Sequence, residues 1–466
     1  MLTKLGERFT HLFLKYMPNA FVFAIVLTLT TALGAYFWLN ATPLKIITSW
    51  YDGFFDLLEF AMQIVLLIIT GFSIALSPIV KKGIDALTRV IKTPQQVYFF
   101  TVLLGALFTM FSFGWIVITC VLARELALRI KGVNYPFLIA IVYFSGGAWV
   151  TGLSSSIPLL LNTDNNYLME AGVLNEVIPI SFTLGSNLNL IMILIFLIAA
   201  PVIILLLAPK KKNIKELNAL LNEGNELQAK LTIEEEAASQ ILPFKAYSDK
   251  LNNSFLLQLR IGVMGLSYIV YHFVSKGVDL NFNIMSLLFL IGGLLLHKTP
   301  MRYVISMKRA SSNVSGILFQ YPFYAGIMGI MLYTGLGTKS AEIMASVATL
   351  DSFPFFAYIT GAIMNFAIPS AGGEFAVVGP SIINAVQAIG QGLPADQITA
   401  MISRASMSVA YGESLSNLLQ PFYLLLVLPV MGAGIKLEAR DIMGYLVIPF
   451  CVFFCIQAAL LVLLPY

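Results

Sequence analysis

The tract Phe111-Ser112-Phe113-Gly114-Trp115 lies in the middle of an apolar run, residues 97 to 130, and the way the chain passes through it decides the fold. If this run crosses a bilayer once, as its neighbours do, Arg124, Arg129 and Lys131 land on the opposite side from Lys81, Lys82, Arg89 and Lys92. Cytoplasmic loops are enriched in Lys and Arg, so that split is unfavourable. It disappears if the five residues are the tip of a re-entrant hairpin that enters and leaves on one side. A second hairpin over 352 to 393, around Pro369-Ser370-Ala371-Gly372-Gly373-Glu374, then leaves about nine crossing spans, with the N-terminus inside and the C-terminus outside. On this path 23 basic residues fall inside, and outside fall only Lys45, Lys276 and Lys339.

Composition supports a membrane solvent. Of 466 residues, 58% are apolar and 11% charged, against roughly 25% charged in soluble domains. Apolar runs of about 20 residues, enough to span about 30 Å of hydrocarbon, recur to the end of the chain. The first follows Lys4, Arg8 and Lys15, has no small-residue cleavage site, and reads as a span rather than a leader. The net charge of +4 is spread between apolar runs and forms no nucleic-acid-binding stripe. Cys120, Cys451 and Cys455 read as free thiols, and the scattered His11, His272 and His297 suggest no metal or haem. No phosphate-binding loop is present, so no cofactor is expected.

The chain divides into a membrane half over 1–208, a polar connector over 209–255 expected to carry one short amphipathic helix, and a second membrane half over 256–466. Gly105-Ala106-Leu107-Phe108 precedes the first tip much as Gly361-Ala362-Ile363-Met364 precedes the second. Each hairpin is followed by a helix interrupted by small polar residues: Gly152-Leu153-Ser154-Ser155-Ser156-Ile157-Pro158, and Gly412-Glu413-Ser414-Leu415-Ser416-Asn417 through to Pro421. The first hairpin opens from the inside and the second from the outside. The expected architecture is all-α and polytopic, with two inverted repeats, each holding one re-entrant hairpin and one broken helix.

Non-helical backbone at membrane depth survives only where protein or a polar cavity satisfies it. Half-helix N-termini offer N–H groups and partial positive charge to an anion, and exposed carbonyls can hold a cation. The candidate substrate residues are therefore Ser112, Gly114, Ser154, Ser155, Ser156, Ser370, Gly372, Gly373, Glu374, Ser414 and Asn417. Glu413, read as inside the second break, joins Gly412 and Ser416 as the candidate site for a coupling Na+ or H+, because a carboxylate among apolar spans needs a cavity or a partner. Trp115 and Trp149 are candidates to line the site. Phe319-Gln320-Tyr321-Pro322-Phe323-Tyr324-Ala325-Gly326 reads as a kinked span.

Several tracts in order carry a family resemblance: Asn365-Phe366-Ala367-Ile368-Pro369-Ser370-Ala371-Gly372-Gly373-Glu374-Phe375, Ala410-Tyr411-Gly412-Glu413 running to Gln420-Pro421-Phe422, Leu294 to Pro300, Gln320 to Gly326, Tyr51-Asp52-Gly53-Phe54 and Asp441 to Tyr445. With them the whole chain resembles the bacterial short-chain fatty acid transporters. Ala371 and Phe375 stand where the family pattern has Gly and Trp, and Ser112-Phe113-Gly114 replaces an Asn-Trp-Gly type of tip. The resemblance implies a carrier of butyrate- or acetoacetate-like monocarboxylates in the bacterial inner membrane, with a periplasmic C-terminus. By analogy with ion-coupled carboxylate carriers it implies a homodimer with elevator motion. The rival readings are a carrier of four-carbon dicarboxylates or amino-acid-like anions, a channel, and a membrane-embedded hydrolase. The last is disfavoured because no His or Lys joins Glu413 and Ser414, which as helical neighbours do not face each other.

Overall fold

The computed structural model describes residues 20–465 apart from 57, 112, 163–165, 171, 210–213, 224–231, 245, 278–281, 312–314, 367 and 370. Among the described residues the chain is helical throughout, with no strand. The first half contains α1 (Ala20–Leu39), α2 (Pro43–Asp56), α3 (Leu58–Ala75), α4 (Pro78–Val90), α5 (Pro94–Phe111), α6 (Ile116–Arg129), α7 (Tyr135–Gly146), α8 (Ser156–Leu161), α9 (Tyr167–Glu170) and α10 (Asn187–Leu207). The connector carries three short helices where one was expected: α11 (Leu217–Glu223), α12 (Ile233–Ser239) and α13 (Tyr247–Asn252). The second half contains α14 (Phe255–Lys276), α15 (Phe282–His297), α16 (Pro300–Ser311), α17 (Ser315–Tyr333), α18 (Leu336–Ser346), α19 (Phe353–Met364), α20 (Ala371–Ile389), α21 (Ala395–Ser416), α22 (Leu424–Met431) and α23 (Val447–Leu463).

Among the described residues five stretches are long and apolar enough to cross a membrane: Pro94–Phe111, Tyr135–Leu161, Asn187–Leu207, Phe255–Lys276 and Met443–Leu463. Shorter apolar helices include Ala24–Leu39, Ser286–His297, Phe353–Met364 and Val377–Ile389. In a lipid solvent apolar burial no longer drives helices together, so close packing through small residues takes over. The tightest contact, α19 against α21, follows that rule: a Cβ on Gly361 would overlap the Val409 backbone, and one on Gly412 would overlap Tyr358 O. The α2 backbone closes on α17 at Gly53 and Gly329. In α17 the helix runs on through Pro322, and Gly326 receives the Trp50 ring rather than ending a turn.

One apolar core joins α5–α8 and α10 to α19–α23. Within it α5 packs on α7 as α19 packs on α21, and the two groups interlock reciprocally: α22 lies on α6 and α7, while α8 lies on α20 and α21. The same core takes in buried residues of α1, α2, α3 and α17, while α14 and α15 form a smaller outlying packing. The connector is docked to both halves: Lys215 O and Glu216 accept from Tyr135 N and Gly132 N of the first half, and α12 packs on the second. Ile233 and Ala237 of α12 bury against Ile305 of α16, and Glu236 pairs with Arg309.

Candidate functional site

Both predicted breaks occur, the first tied to the end of α5 and the second to the end of α19. In the first half α7 ends at Gly146, a 3-10 turn covers Gly147–Thr151, and α8 begins at Ser156. Between them Leu153 N donates to Met110 O at 2.7 Å, so the freed backbone is satisfied by the last turn of α5. A Cβ on Gly152 would overlap Met110, so only glycine lets the strands of backbone meet. Ser154 Oγ accepts from Phe113 N at 2.9 Å, which ties the break to the hairpin tip. In the second half the helix persists further than the sequence suggests. Glu413 belongs to the last turn of α21, and the break comes after it, from Asn417 to Tyr423. Gly412 drew the break too early: it is glycine because α19 lies against it, and its helical geometry is undisturbed.

Side-chain amides do in the second half what backbone does in the first. Asn365, the residue that ends α19, donates from Nδ2 to Glu413 O at 3.0 Å and to Ser416 Oγ at 2.7 Å. Gln420 donates from Nε2 to Asn365 O at 3.2 Å and to Asn417 Oδ1 at 2.8 Å. Asn417 Nδ2 in turn holds Glu413 Oε1 at 2.9 Å. All of Asn365, Glu413, Asn417 and Gln420 are at most 1% exposed.

The halves are then stitched to each other across these breaks. Tyr143 on α7 places its hydroxyl 2.6 Å from both Asn417 O and Gln420 O. Ser414 Oγ donates to Gly147 O at 2.9 Å, and Trp149 Nε1 donates to Tyr423 OH at 2.9 Å. Phe113, Trp149 and Tyr423 form an aromatic cluster, with ring centroids 5.1–5.4 Å apart about Phe113. Trp149 thus lines the centre as expected, whereas Trp115 stacks outward on Phe111 and Phe289.

On the polar side, α8 meets the start of α20. A Cβ on Gly372 would stand 3.9 Å from Ser156 Oγ, and Gly373 and Glu374 continue that first turn. Buried hydrogen-bonding atoms usually have partners. Here Ser155 Oγ, Ser156 Oγ, both carboxyl oxygens of Glu374, Glu413 Oε2, Asn365 Oδ1 and Gln420 Oε1 have none. Glu374 is fully buried, and Glu374, Glu413 and the Tyr423 hydroxyl lie within electrostatic range of one another. No lysine or arginine is among the residues that form this centre. Arg404, on α21, instead holds the C-terminal carbonyls of α23, Leu461 O at 2.9 Å and Leu464 O at 2.5 Å, and Arg124 does the same for the end of α22 at Met431 O, 2.6 Å.

Of the predicted substrate residues, the structure brings together Ser154, Ser155, Ser156, Gly372, Gly373, Glu374, Ser414 and Asn417. Ser112 and Ser370 lie outside the described residues, and Gly114 is buried at the first tip. The sequence reading missed Asn365, Gln420 and Tyr143 as parts of the centre. Asn365 and Gln420 are polar side chains inside apolar tracts, a signal present in the sequence but without an evident partner there. Among the described residues no group of three or more His, Cys, Asp or Glu side chains could hold a metal ion.

Comparison with known proteins identifies the family. The profile of the family described as "Short chain fatty acid transporter" matches residues 1–464. An Escherichia coli (strain K12) protein named "Putative short-chain fatty acid transporter" is 35% identical over 447 residues, 96% of each chain. A Haemophilus influenzae protein of the same name is 34% identical over 451 residues, again 96% of each. The crystal structure of the YdaH transporter of Alcanivorax borkumensis aligns with 96% of this chain and 98% of its own, at a TM-score of 0.44 and 15% identity, too distant to bear on the site. Matched over nearly its full length, the chain belongs to the short-chain fatty acid transporter family, a family of membrane transporters and not of enzymes.

Proposed function

We propose that this protein is a secondary active carrier of short-chain monocarboxylates, butyrate- and acetoacetate-like acids, across the bacterial inner membrane. The observation that carries the reading is the group of buried hydroxyl and carboxyl oxygens without partners, Ser155 and Ser156 at the start of α8 and Glu374 in the first turn of α20, which α8 faces at Gly372. The first N–H groups of a helix lack intrahelical acceptors and favour an anion. The substrate carboxylate meets them and the two serine hydroxyls, and its alkyl tail packs on Phe113, Trp149 and Tyr423. An ionised Glu374 would repel that carboxylate, so Glu374 admits it by sharing a proton. A centre without a basic side chain suits one negative charge better than the two of a dicarboxylate.

Alternating access follows from the arrangement of the halves. The reciprocal packing of α8 on α20 and α21 and of α22 on α6 and α7 supports two inverted repeats, with re-entrant hairpins at α5–α6 and α19–α20, an N-terminus in the cytoplasm and a C-terminus in the periplasm. Because Tyr143, Ser414 and Trp149 bind the two breaks together, the centre moves as one block against the outlying helices, the elevator mode, in a homodimer. The test is uptake of labelled butyrate into proteoliposomes under separately imposed proton and sodium gradients, with succinate and an amino acid as competitors. Uptake driven by an ion gradient and displaced by short monocarboxylates is the expected result. Uptake indifferent to both gradients sinks the coupling, and no butyrate uptake sinks the substrate assignment.

A further inference from the structure

The knot at the second break contains more oxygen than it can satisfy. Asn365, Glu413, Asn417 and Gln420 bond to one another, and three of their oxygens, Asn365 Oδ1, Glu413 Oε2 and Gln420 Oε1, are buried with no donor. Turning the amides over does not help. The Asn365 nitrogen lies between Glu413 O and Ser416 Oγ, whose own hydrogen is already given to Glu413 O, and the Gln420 nitrogen lies between Asn365 O and Asn417 Oδ1. Each position calls for a donor, so the orientation is fixed by the network.

We infer that Asn365, Glu413 and Gln420 form a binding site for a monovalent cation, held by two amide oxygens and one carboxylate oxygen at the end of α21. Hard cations take carboxylate and carbonyl oxygens. A proton on Glu413 would serve the carboxyl group and one amide oxygen and leave the other amide oxygen without a partner, whereas a cation serves all three. The site carries one formal negative charge, and a buried carboxylate with no basic neighbour is otherwise costly. Only Glu413 of these ligands was singled out by its sequence. Asn417 does not contribute a free oxygen, because its Oδ1 already accepts from Gln420. It orients Glu413 instead. The cation also bears on access: it joins the end of α19 to the end of α21, on either side of which stand the second hairpin and the second break. The inference deepens the carrier reading by naming its coupling ion, but binding can be measured without transport.

The test uses the purified full-length chain in detergent and saturable binding of 22Na+, with 86Rb+ as the larger cation. The expected result is saturable binding of at least one of the two, displaced by the unlabelled ion. It is weakened at least tenfold in Glu413→Gln, in Asn365→Leu and in Gln420→Leu, each of which removes one of the three oxygens or its charge. Should the variants not fold, hydrogen exchange on the unmutated protein serves: the cation is expected to slow exchange in 362–366 and 413–423 relative to choline at equal ionic strength. Absence of saturable binding of both ions overturns the inference, as does binding that all three variants leave unchanged or protection that falls elsewhere. Butyrate uptake by a protein that binds neither cation would sink this site and leave the carrier standing.

Discussion

Ser186 and Ser155 occupy the same position in two helices and behave differently. Both are N-cap residues with extended backbone, φ −66° and ψ 150° for Ser186 and φ −67° and ψ 118° for Ser155. Ser186 accepts from Asn189 N at 3.2 Å and so satisfies one of the first amides of α10. Ser155 makes no such bond, although it is fully buried. Ser77, Asn134, Thr232 and Ser254, which start helices away from the breaks, behave as Ser186 does. Tyr423, which starts α22 at the centre, makes no side-chain cap bond either. Helix starts on Ala246, Ser352 and Pro394 also lack one, but they are exposed or half-exposed, within reach of water. The lesson is that Ser and Asn at buried helix starts away from the breaks, Ser77 and Asn134 among them, spend their oxygens on capping, whereas Ser155 at the break keeps its own unspent.

Four experiments can break or sharpen this contrast. The largest effect is expected for Glu374→Leu. Butyrate uptake in proteoliposomes should fall by more than about tenfold, the equivalent of about 1.4 kcal/mol. Thermal stability should hold or rise, because a buried carboxyl with no partner costs the folded state more than an apolar side chain does. A clear drop in melting temperature would make Glu374 a structural residue and erase the distinction. Next is Ser155→Ala, for which the loss of one hydroxyl contact predicts a rise in the half-saturating butyrate concentration of a few fold to about tenfold, from about 0.5–1.5 kcal/mol. Its melting temperature should be unchanged.

The matching change at the periphery, Ser186→Ala, should do the reverse. Stability falls by about 1 kcal/mol with the lost cap, and the half-saturating concentration stays put. The smallest effect concerns α12. Thr232 donates its backbone N–H and hydroxyl to Glu235 at 2.7 and 2.9 Å, and these bonds hold the Glu235 carboxyl below its usual range. A depressed carboxyl stabilises the folded form above its unfolded value and loses that contribution as pH falls through the lower folded value. Amide exchange across 232–239 should therefore speed up on acidification and be independent of pH near neutrality, once intrinsic exchange rates are divided out. A Glu235→Gln variant, which has no carboxyl to titrate, should lack the transition, and Thr232→Val, which keeps the backbone N–H bond, should only shrink it.

The contrast also explains what could be read from the residues alone. The interruptions at 152–155 and after Asn417 were legible because Gly, Ser and Pro cluster there inside an apolar run, and the burial of two carboxylates was legible because charges are rare there. The position of Glu413 was misread for a physical reason. Gly412 and Ser414 look like breakers, but Gly412 gives way to Tyr358 of α19, and Ser414 reaches Gly147 of the other half. Both are long-range contacts that local periodicity does not encode. The same holds for Asn365 and Gln420, 55 residues apart and joined by a hydrogen bond, and for Gly53, whose close approach to Gly329 of α17 no local pattern announces.

The Tyr143 hydroxyl binds carbonyls 274 and 277 residues further along the chain. During synthesis, then, all of the chain between this tyrosine and Asn417 emerges with its partners still unmade, and a ribosome must deliver Gln420 before the middle of the molecule can close. Until that moment the early helices wait in the lipid as an unfinished bundle, so a premature stop anywhere before the final two helices leaves a product whose first half is inserted but whose heart never forms.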